Sequence, residues 1–300
     1  MKFIPYSFKI LSFFLFTYLL SKTDWEICFN YIKKIHLIHL LTAILIIYLG
    51  YFLKCIRWNY ILKSLDSYER ITSLFKIFLI GGYLGIITPG KIGDFGRIYY
   101  LKNKINWKNL TVSLLIDRFN DFVMLIILAA LGIIRLQSLI ADKLKLEINN
   151  KLIFGLTFFL IVFFFLVMKF KPQFKEFYLI IKKSFSIKNN LLQMVLTLLS
   201  MLIIYSSYII VSKDLDISIS SVDIFFTLII VGILNLLPIT VLGIGVREAT
   251  IIYFFGLHGI NYEIAMTFSL IIFAIQIITF LPGAYWFYKN PINFDKKSLS

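Results

Sequence analysis

Apolar runs long enough to cross a bilayer, or nearly so, occupy residues 5–21, 37–56, 109–134, 152–169, 191–211 and 262–288. A helix needs about 20 largely apolar residues to span the hydrocarbon. Lipid admits only elements that satisfy their backbone polar groups internally. The runs therefore predict an all-α polytopic membrane protein. Composition agrees, with 59% of the 300 residues hydrophobic and 16% charged, against about 45–50% and about 25% in soluble domains.

Two further runs, 74–88 and 224–237, are too short to cross comfortably and end at Pro89 and Pro238, each followed by glycines and an arginine. Proline removes a helical N–H. A break at membrane depth is tolerated only where protein or a water-filled cavity satisfies the freed backbone. Loop charges give direction. The linker 169–190 carries Lys169, Lys171, Lys175, Lys182, Lys183 and Lys188 against Glu176, and the tail carries Lys289, Lys296 and Lys297 against Asp295. Both read as cytoplasmic. Lys213 faces Asp214, Asp216 and Asp223, which suits the outer side. Lys54, Arg57, Lys63, Arg70 and Lys76 precede the first short run, and Arg97, Lys102, Lys104 and Lys108 follow it. Both flanks being basic, residues 77–96 are expected to form a re-entrant hairpin turning at Pro89-Gly90. Residues 226–246 make its counterpart from the outer side. The first run lacks a small-x-small cleavage site and reads as a retained span. Both termini are then cytoplasmic, in a cell membrane.

Pro89 and Pro238 are 149 residues apart, and Gly93 and Arg97 map onto Gly243 and Arg247 after one inserted residue. The same shift carries the other runs of residues 1–150 onto those of 151–300. Each half reads span, span, hairpin, span. Three crossings per half start the second on the opposite side, which is the outline of an inverted repeat around a transport site. The expected fold is one membrane domain, 1–300, of two inverted halves: six full spans plus two re-entrant hairpins, about eight transmembrane segments in all.

At these residues the sequence resembles the flippase-like transmembrane domain of the lysylphosphatidylglycerol synthetases. The family's Pro-Gly, Gly-acid, Arg pattern is met by Pro89-Gly90, Gly93-Asp94 and Arg97. Its acidic-Arg, then Asp pattern is met by Asp117, Arg118 and Asp121. Its Pro, then Gly-x-Gly-x-Arg-Glu pattern is met by Pro238, Gly243, Gly245, Arg247 and Glu248. The resemblance covers essentially the whole chain. Asp94 stands where the family commonly has Glu. With the chain ending at Ser300, no aminoacyl-transferase domain is expected. The resemblance implies lipid translocation and not aminoacyl transfer, so the chain is not expected to be an enzyme.

Charge within a membrane run is costly and normally faces the interior. Asp117 and Asp121, four apart, share a helix face with Arg118 nearby. Arginine grips phosphate bidentately. Asp94, Arg97, Asp117, Arg118, Asp121, Arg247 and Glu248 are therefore the candidate substrate-binding residues. The alternative for each arginine is a structural pairing, Arg247 with Glu248 or Asp121. Pro89, Gly90, Gly93, Pro238, Gly243 and Gly245 are the candidate hairpin formers.

Other chemistries find less support. The net charge of +15 is spread between apolar runs and accompanies no nucleic-acid motif. No Gly-Lys-Ser/Thr follows the glycines, against a nucleotide loop. Asp117 and Asp121 lack the pattern of metal-dependent phosphotransferases. Cys28 and Cys55 flank one run, at opposite faces, against a disulfide. His36 and His39 have no third ligand nearby in sequence, so neither metal nor cofactor is expected. The function expected is movement between leaflets of an anionic or aminoacylated phospholipid, or of a polyprenyl-phosphate-linked lipid. The alternative is a non-catalytic subunit presenting lipid to a separate synthase or glycosyltransferase. The expected partners are thus membrane lipid and that enzyme, with a homo-oligomer left open and no nucleic acid.

Overall fold

A computed structural model describes residues 4–144, 187–235 and 243–291, among which no strand occurs. The helices are α1 (Ile4–Ser21), α2 (Trp25–Lys33), α3 (Leu37–Ser64), α4 (Ile71–Ile87), α5 (Arg97–Leu101) and α6 (Trp107–Leu144). They continue with α7 (Ile187–Ser212), α8 (Ser221–Leu234), α9 (Val246–Leu257) and α10 (Tyr262–Lys289). Four helices, α3, α6, α7 and α10, are long and apolar enough to cross a membrane, and α4 and α8 are shorter apolar helices. The chain is a multi-pass membrane protein. The run 152–169, most of the 169–190 linker, Pro238 and residues 236–242 of the second hairpin lie outside the described residues.

Helix ends follow from local chemistry. Asp24 caps α2, its carboxylate accepting from the N–H groups of Glu26 (3.0 Å) and Ile27 (3.3 Å). Ser220 caps α8 by accepting from the Asp223 N–H at 3.1 Å. Helix α4 stops at Thr88, extended at φ −115° and ψ 142°, as a residue preceding proline must be.

Beyond Pro89 the chain does not resume an α-helix. Residues Pro89–Gly96 form a 3-10 helix that folds back on α4. The Thr88 hydroxyl donates to the Leu84 carbonyl and accepts from the Gly93 N–H, both at 2.7 Å. A Cβ on Gly93 would lie 2.2 Å from the Leu84 carbonyl oxygen, so only glycine fits. The three-residue spacing of Gly90, Gly93 and Gly96 matches the three residues per turn of this limb. Lys104 meets both carboxylate oxygens of Glu69 at 3.0 Å, and the Asn109 amide donates to the Leu65 carbonyl at 3.1 Å. Residues 71–101 therefore leave and return at one end of the molecule. The 17 residues of α4 reach about 25 Å, short of the ~30 Å hydrocarbon core.

Helices α3 and α7 pack antiparallel along much of their length. His36 meets Asp214 at one end, Gly50 abuts Ile204, and Arg57 reaches Thr197 further along. Gly82 of α4 abuts Phe280 of α10, while Gly232 of α8 abuts Leu125 of α6. The starts of α3 and α7 are 150 residues apart (187 − 37), as are those of α4 and α8 (221 − 71). Asp66 at φ 54° and Asp216 at φ 53°, again 150 apart, lie just beyond α3 and α7 in the same left-handed conformation.

One sequence-based assignment needs correction. Helix α3 runs past residue 56 to Ser64, with Lys54 and Arg57 inside it and Arg57 fully buried. Neither belongs to a basic loop. Ion pairs with α6 let the helix continue through charges that end an apolar run.

Candidate functional site

The broken hairpin brings Asp94 and Arg97 against α6 and α3. The Arg97 Nε donates to Asp94 Oδ1 at 2.8 Å, and its Nη2 also pairs with that oxygen. The guanidinium lies 4.5 Å from the ring centre of Phe78 and 5.0 Å from that of Trp58, a cation–π seat that orients it. Its Nη1 points towards Asp117 Oδ2 at 3.7 Å, beyond hydrogen-bond length.

On α6, Asp117 and Asp121 share a face, as their spacing requires, and both turn to Arg57. The Arg57 Nε donates to Asp117 Oδ1 at 2.9 Å, while Nη1 donates to Asp121 Oδ1 at 2.8 Å and to the Thr197 hydroxyl at 2.6 Å. Asp121 Oδ2 also accepts from Lys54 at 3.0 Å. Arg118 reaches across to Asp94 Oδ2 at 2.7 Å, with Asp117 and Asp121 at 3.5 and 3.7 Å. Hairpin, α3 and α6 are thus joined by one ionic network, to which Thr197 of α7 is hydrogen-bonded. Separate ions in a low-dielectric interior carry a heavy desolvation cost, which mutual pairing offsets.

Arg247 and Glu248 form their own unit at the start of α9. The Arg247 Nε donates to Glu248 Oε1 at 3.0 Å and to the Ser269 hydroxyl at 3.3 Å. Glu248 Oε2 accepts from the Gly245 N–H at 2.6 Å, an arrangement that needs Gly245 at φ 87°. The guanidinium faces Phe273 at 4.4 Å, and its Nη1 lacks a hydrogen-bond partner among the described residues.

Between these units lies a cavity of about 140 Å³, bordered by Tyr51 and Lys54 of α3, Lys91 of the hairpin, and Arg118 and Asp121 of α6. Arg247, Gln276, Tyr205 and Tyr208 close it from α9, α10 and α7. A neighbouring cavity of about 90 Å³ shares Tyr51, Lys54, Lys91, Arg118 and Gln276 and adds Asp94 and Arg97. The liquid share of one water is about 30 Å³, so the larger space has room for a phosphate group.

Of the seven candidate binding residues, Asp94, Arg97, Asp117, Arg118 and Asp121 fall in one network. Arg247 joins Arg118 and Asp121 at the cavity, and Glu248 stands behind it. The structural pairing expected as the alternative occurs for both Arg97, with Asp94, and Arg247, with Glu248. Gly93 and Gly245 hold the turns, while Gly243 takes φ 73°.

Three cations escaped sequence reasoning. Lys54 and Arg57, three apart inside one long helix, carried a signal, since a lysine and an arginine within an apolar span call for interior partners. Lys91 carried none beyond its position after Pro-Gly. Lys91 lines both cavities and, among the described residues, has no ion-pair partner. A third ligand-type residue also joins His36 and His39, because folding brings Asp214 to them from 178 and 175 positions away.

The family model described as the lysylphosphatidylglycerol synthase TM region matches residues 7–283, and the chain belongs to that family. No curated protein matches the chain.

Proposed function

We propose that this member of the lysylphosphatidylglycerol synthase transmembrane family binds the phosphate of an anionic lipid headgroup in the central cavity and carries it between leaflets. The observation that supports this is an excess of positive charge. Lys54, Arg57, Lys91, Arg97, Arg118 and Arg247 stand against Asp94, Asp117, Asp121 and Glu248, six cations to four carboxylates. The excess of two matches the one to two negative charges of a phosphate. Phosphate is also the group that guanidinium and ammonium donors hold best.

The carboxylates argue against a cationic headgroup. Asp94 and Asp117 turn to arginines, and only Asp121 borders the larger cavity. Phosphatidylglycerol-like or polyprenyl-phosphate lipids therefore suit the site better than aminoacylated ones. The polar path is formed without chemistry: the headgroup occupies the cavity while acyl chains stay in lipid.

In this reading the protein is two inverted halves, 1–150 and 151–300, in a cell membrane. The α3–α7 pair is the seam between the halves. The antiparallel packing of α3 and α7 and the 150-residue correspondences support it. The end holding Lys104 is cytoplasmic with both termini, and the hairpin at Pro89 enters from that side.

The test is translocation in liposomes of a fluorescent anionic phospholipid, with a zwitterionic lipid of the same chains beside it. Transport that prefers the anionic lipid by at least about tenfold is expected, equivalent to roughly 1.4 kcal/mol. Equal rates, or no translocation of either lipid, overturn the reading.

A further inference from the structure

We propose that His36, His39 and Asp214 form a binding site for a divalent transition-metal ion, zinc above all, at one end of the α3–α7 seam. His36 precedes the first turn of α3 and His39 lies within that turn, so a spacing of three places both rings on one side of the helix start. Asp214 sits in the 3-10 turn directly after α7. Its Oδ1 receives both rings, with His36 Nδ1 at 2.9 Å and His39 Nδ1 at 2.8 Å.

Three features separate this cluster from a chance surface contact. First, the three ligand atoms lie within 4.8 Å of one another. Zinc bonds of about 2.0–2.2 Å place tetrahedral ligands about 3.3 Å apart, so the ion is admitted when the two His–Asp contacts open by about half an ångström and the two ring nitrogens close by up to about 1.5 Å. Second, the carboxylate is held in place. Asp214 is 4% exposed, and its Oδ2 accepts the His36 backbone N–H at 3.1 Å, the kind of supporting bond that orients metal ligands. Third, the site is open on one side, where His36 is 69% and His39 37% exposed. A water molecule can fill the fourth position, as in three-ligand zinc sites.

The donor set selects the ion. Two imidazole nitrogens and one carboxylate oxygen suit zinc, nickel or copper, whereas magnesium and calcium prefer oxygen alone. In the metal-free protein each ring donates an Nδ1–H to Asp214 Oδ1. On binding, each Nδ1 turns its lone pair to the ion and its proton passes through solvent to Nε2, so no net proton is lost. Because the ligands come from the start of α3 and the turn after α7, the ion cross-links two segments separated by more than half the chain. This site is remote from the lipid cavity and independent of the transport reading.

The experiment uses the full chain in detergent, stripped with a chelator, desalted, and titrated with zinc by calorimetry. Bound zinc is counted by elemental mass spectrometry. Wild type is expected to hold one zinc per chain and to melt at higher temperature with it, since an ion binding only the folded state stabilises it. Asp214→Asn and His39→Gln are each expected to lose the ion and the thermal shift, while His258→Gln keeps both. Asp214→Asn preserves size and an acceptor oxygen, so gel filtration and circular dichroism should match wild type. Failure of wild type to bind zinc overturns the proposal, as does equal binding by wild type and Asp214→Asn. Binding lost only with loss of fold in Asp214→Asn also overturns it if His39→Gln stays folded and retains the ion.

Discussion

Lys91 offers the sharpest separation of lipid binding from architecture. It stands at φ 57° in the hairpin, lines both cavities and has no ion-pair partner among the described residues. Lys91→Gln removes the charge while keeping most of the length. Two unit charges 4 Å apart attract by about 4 kcal/mol at an effective dielectric of 20. Desolvation returns part of that, leaving about 1.5–3 kcal/mol for a hydrogen bond to a charged group. The affinity for an anionic headgroup should then fall about 10- to 150-fold. Stability should stay within about 0.5 kcal/mol of wild type, because no pair is broken. Calorimetric titration with short-chain phosphatidylglycerol reads the first quantity, and thermal unfolding in the same detergent reads the second. A folded Lys91→Gln that binds the lipid as tightly as wild type would refute the reasoning. A variant weakened in both measurements would make Lys91 an architectural residue.

Arg57→Met should cost roughly 3–5 kcal/mol in unfolding measurements, by removing the side-chain hydrogen-bond donor of buried Asp117 and one of the two donors of Asp121, and adding Asp117→Asn should recover part of it. Gly93→Ala drives a Cβ against the Leu84 carbonyl and should cost about 1–3 kcal/mol, whereas Gly85→Ala, whose nearest neighbour is 3.6 Å away, should be tolerated; melting temperatures decide. Burial raises the Glu69 pKa, but Lys104, the Ser73 hydroxyl and the Arg70 backbone N–H together outweigh this and hold it below the usual carboxylate value. Its contribution is therefore present above about pH 4.3 and lost as pH falls through the lower folded value. With Lys104 largely exposed, Glu69→Gln should cost under about 1 kcal/mol at neutral pH and flatten that acid limb of a stability–pH curve. Single cysteines at Lys102 and Asp216, in a background lacking Cys28 and Cys55, should label from opposite sides of the membrane, the second from outside; labelling of both from one side would refute the orientation.

Much of the architecture was legible because it depends on local chemistry. A run of apolar residues crosses lipid or nearly so, whatever its neighbours are. Proline and glycine end a ladder wherever they fall, so the turn after Thr88 could be placed from the letters alone. A charge inside such a run must face protein, which marked Asp117, Arg118 and Asp121 as interior. The form of the return limb was less legible, since the choice of 3-10 over α geometry rests on how closely Gly93 approaches the Leu84 carbonyl.

What each charge does was decided by tertiary structure. Lys54 and Arg57 look like the basic flank of a span until α6 supplies Asp117 and Asp121 from 60 to 67 residues away. Arg97 and Arg247 look alike in sequence, yet one is tied into a network of two helices and the hairpin while the other is paired to its neighbour. His36 and His39 are one protein ligand short of the proposed metal site until the turn after α7 brings Asp214. A hydrophobic run or a helix breaker acts through its own backbone and the solvent around it. An ionic network such as that of Arg57, or a ligand set, exists only when distant segments meet at a few ångströms, and that distance is set by the packing of whole helices.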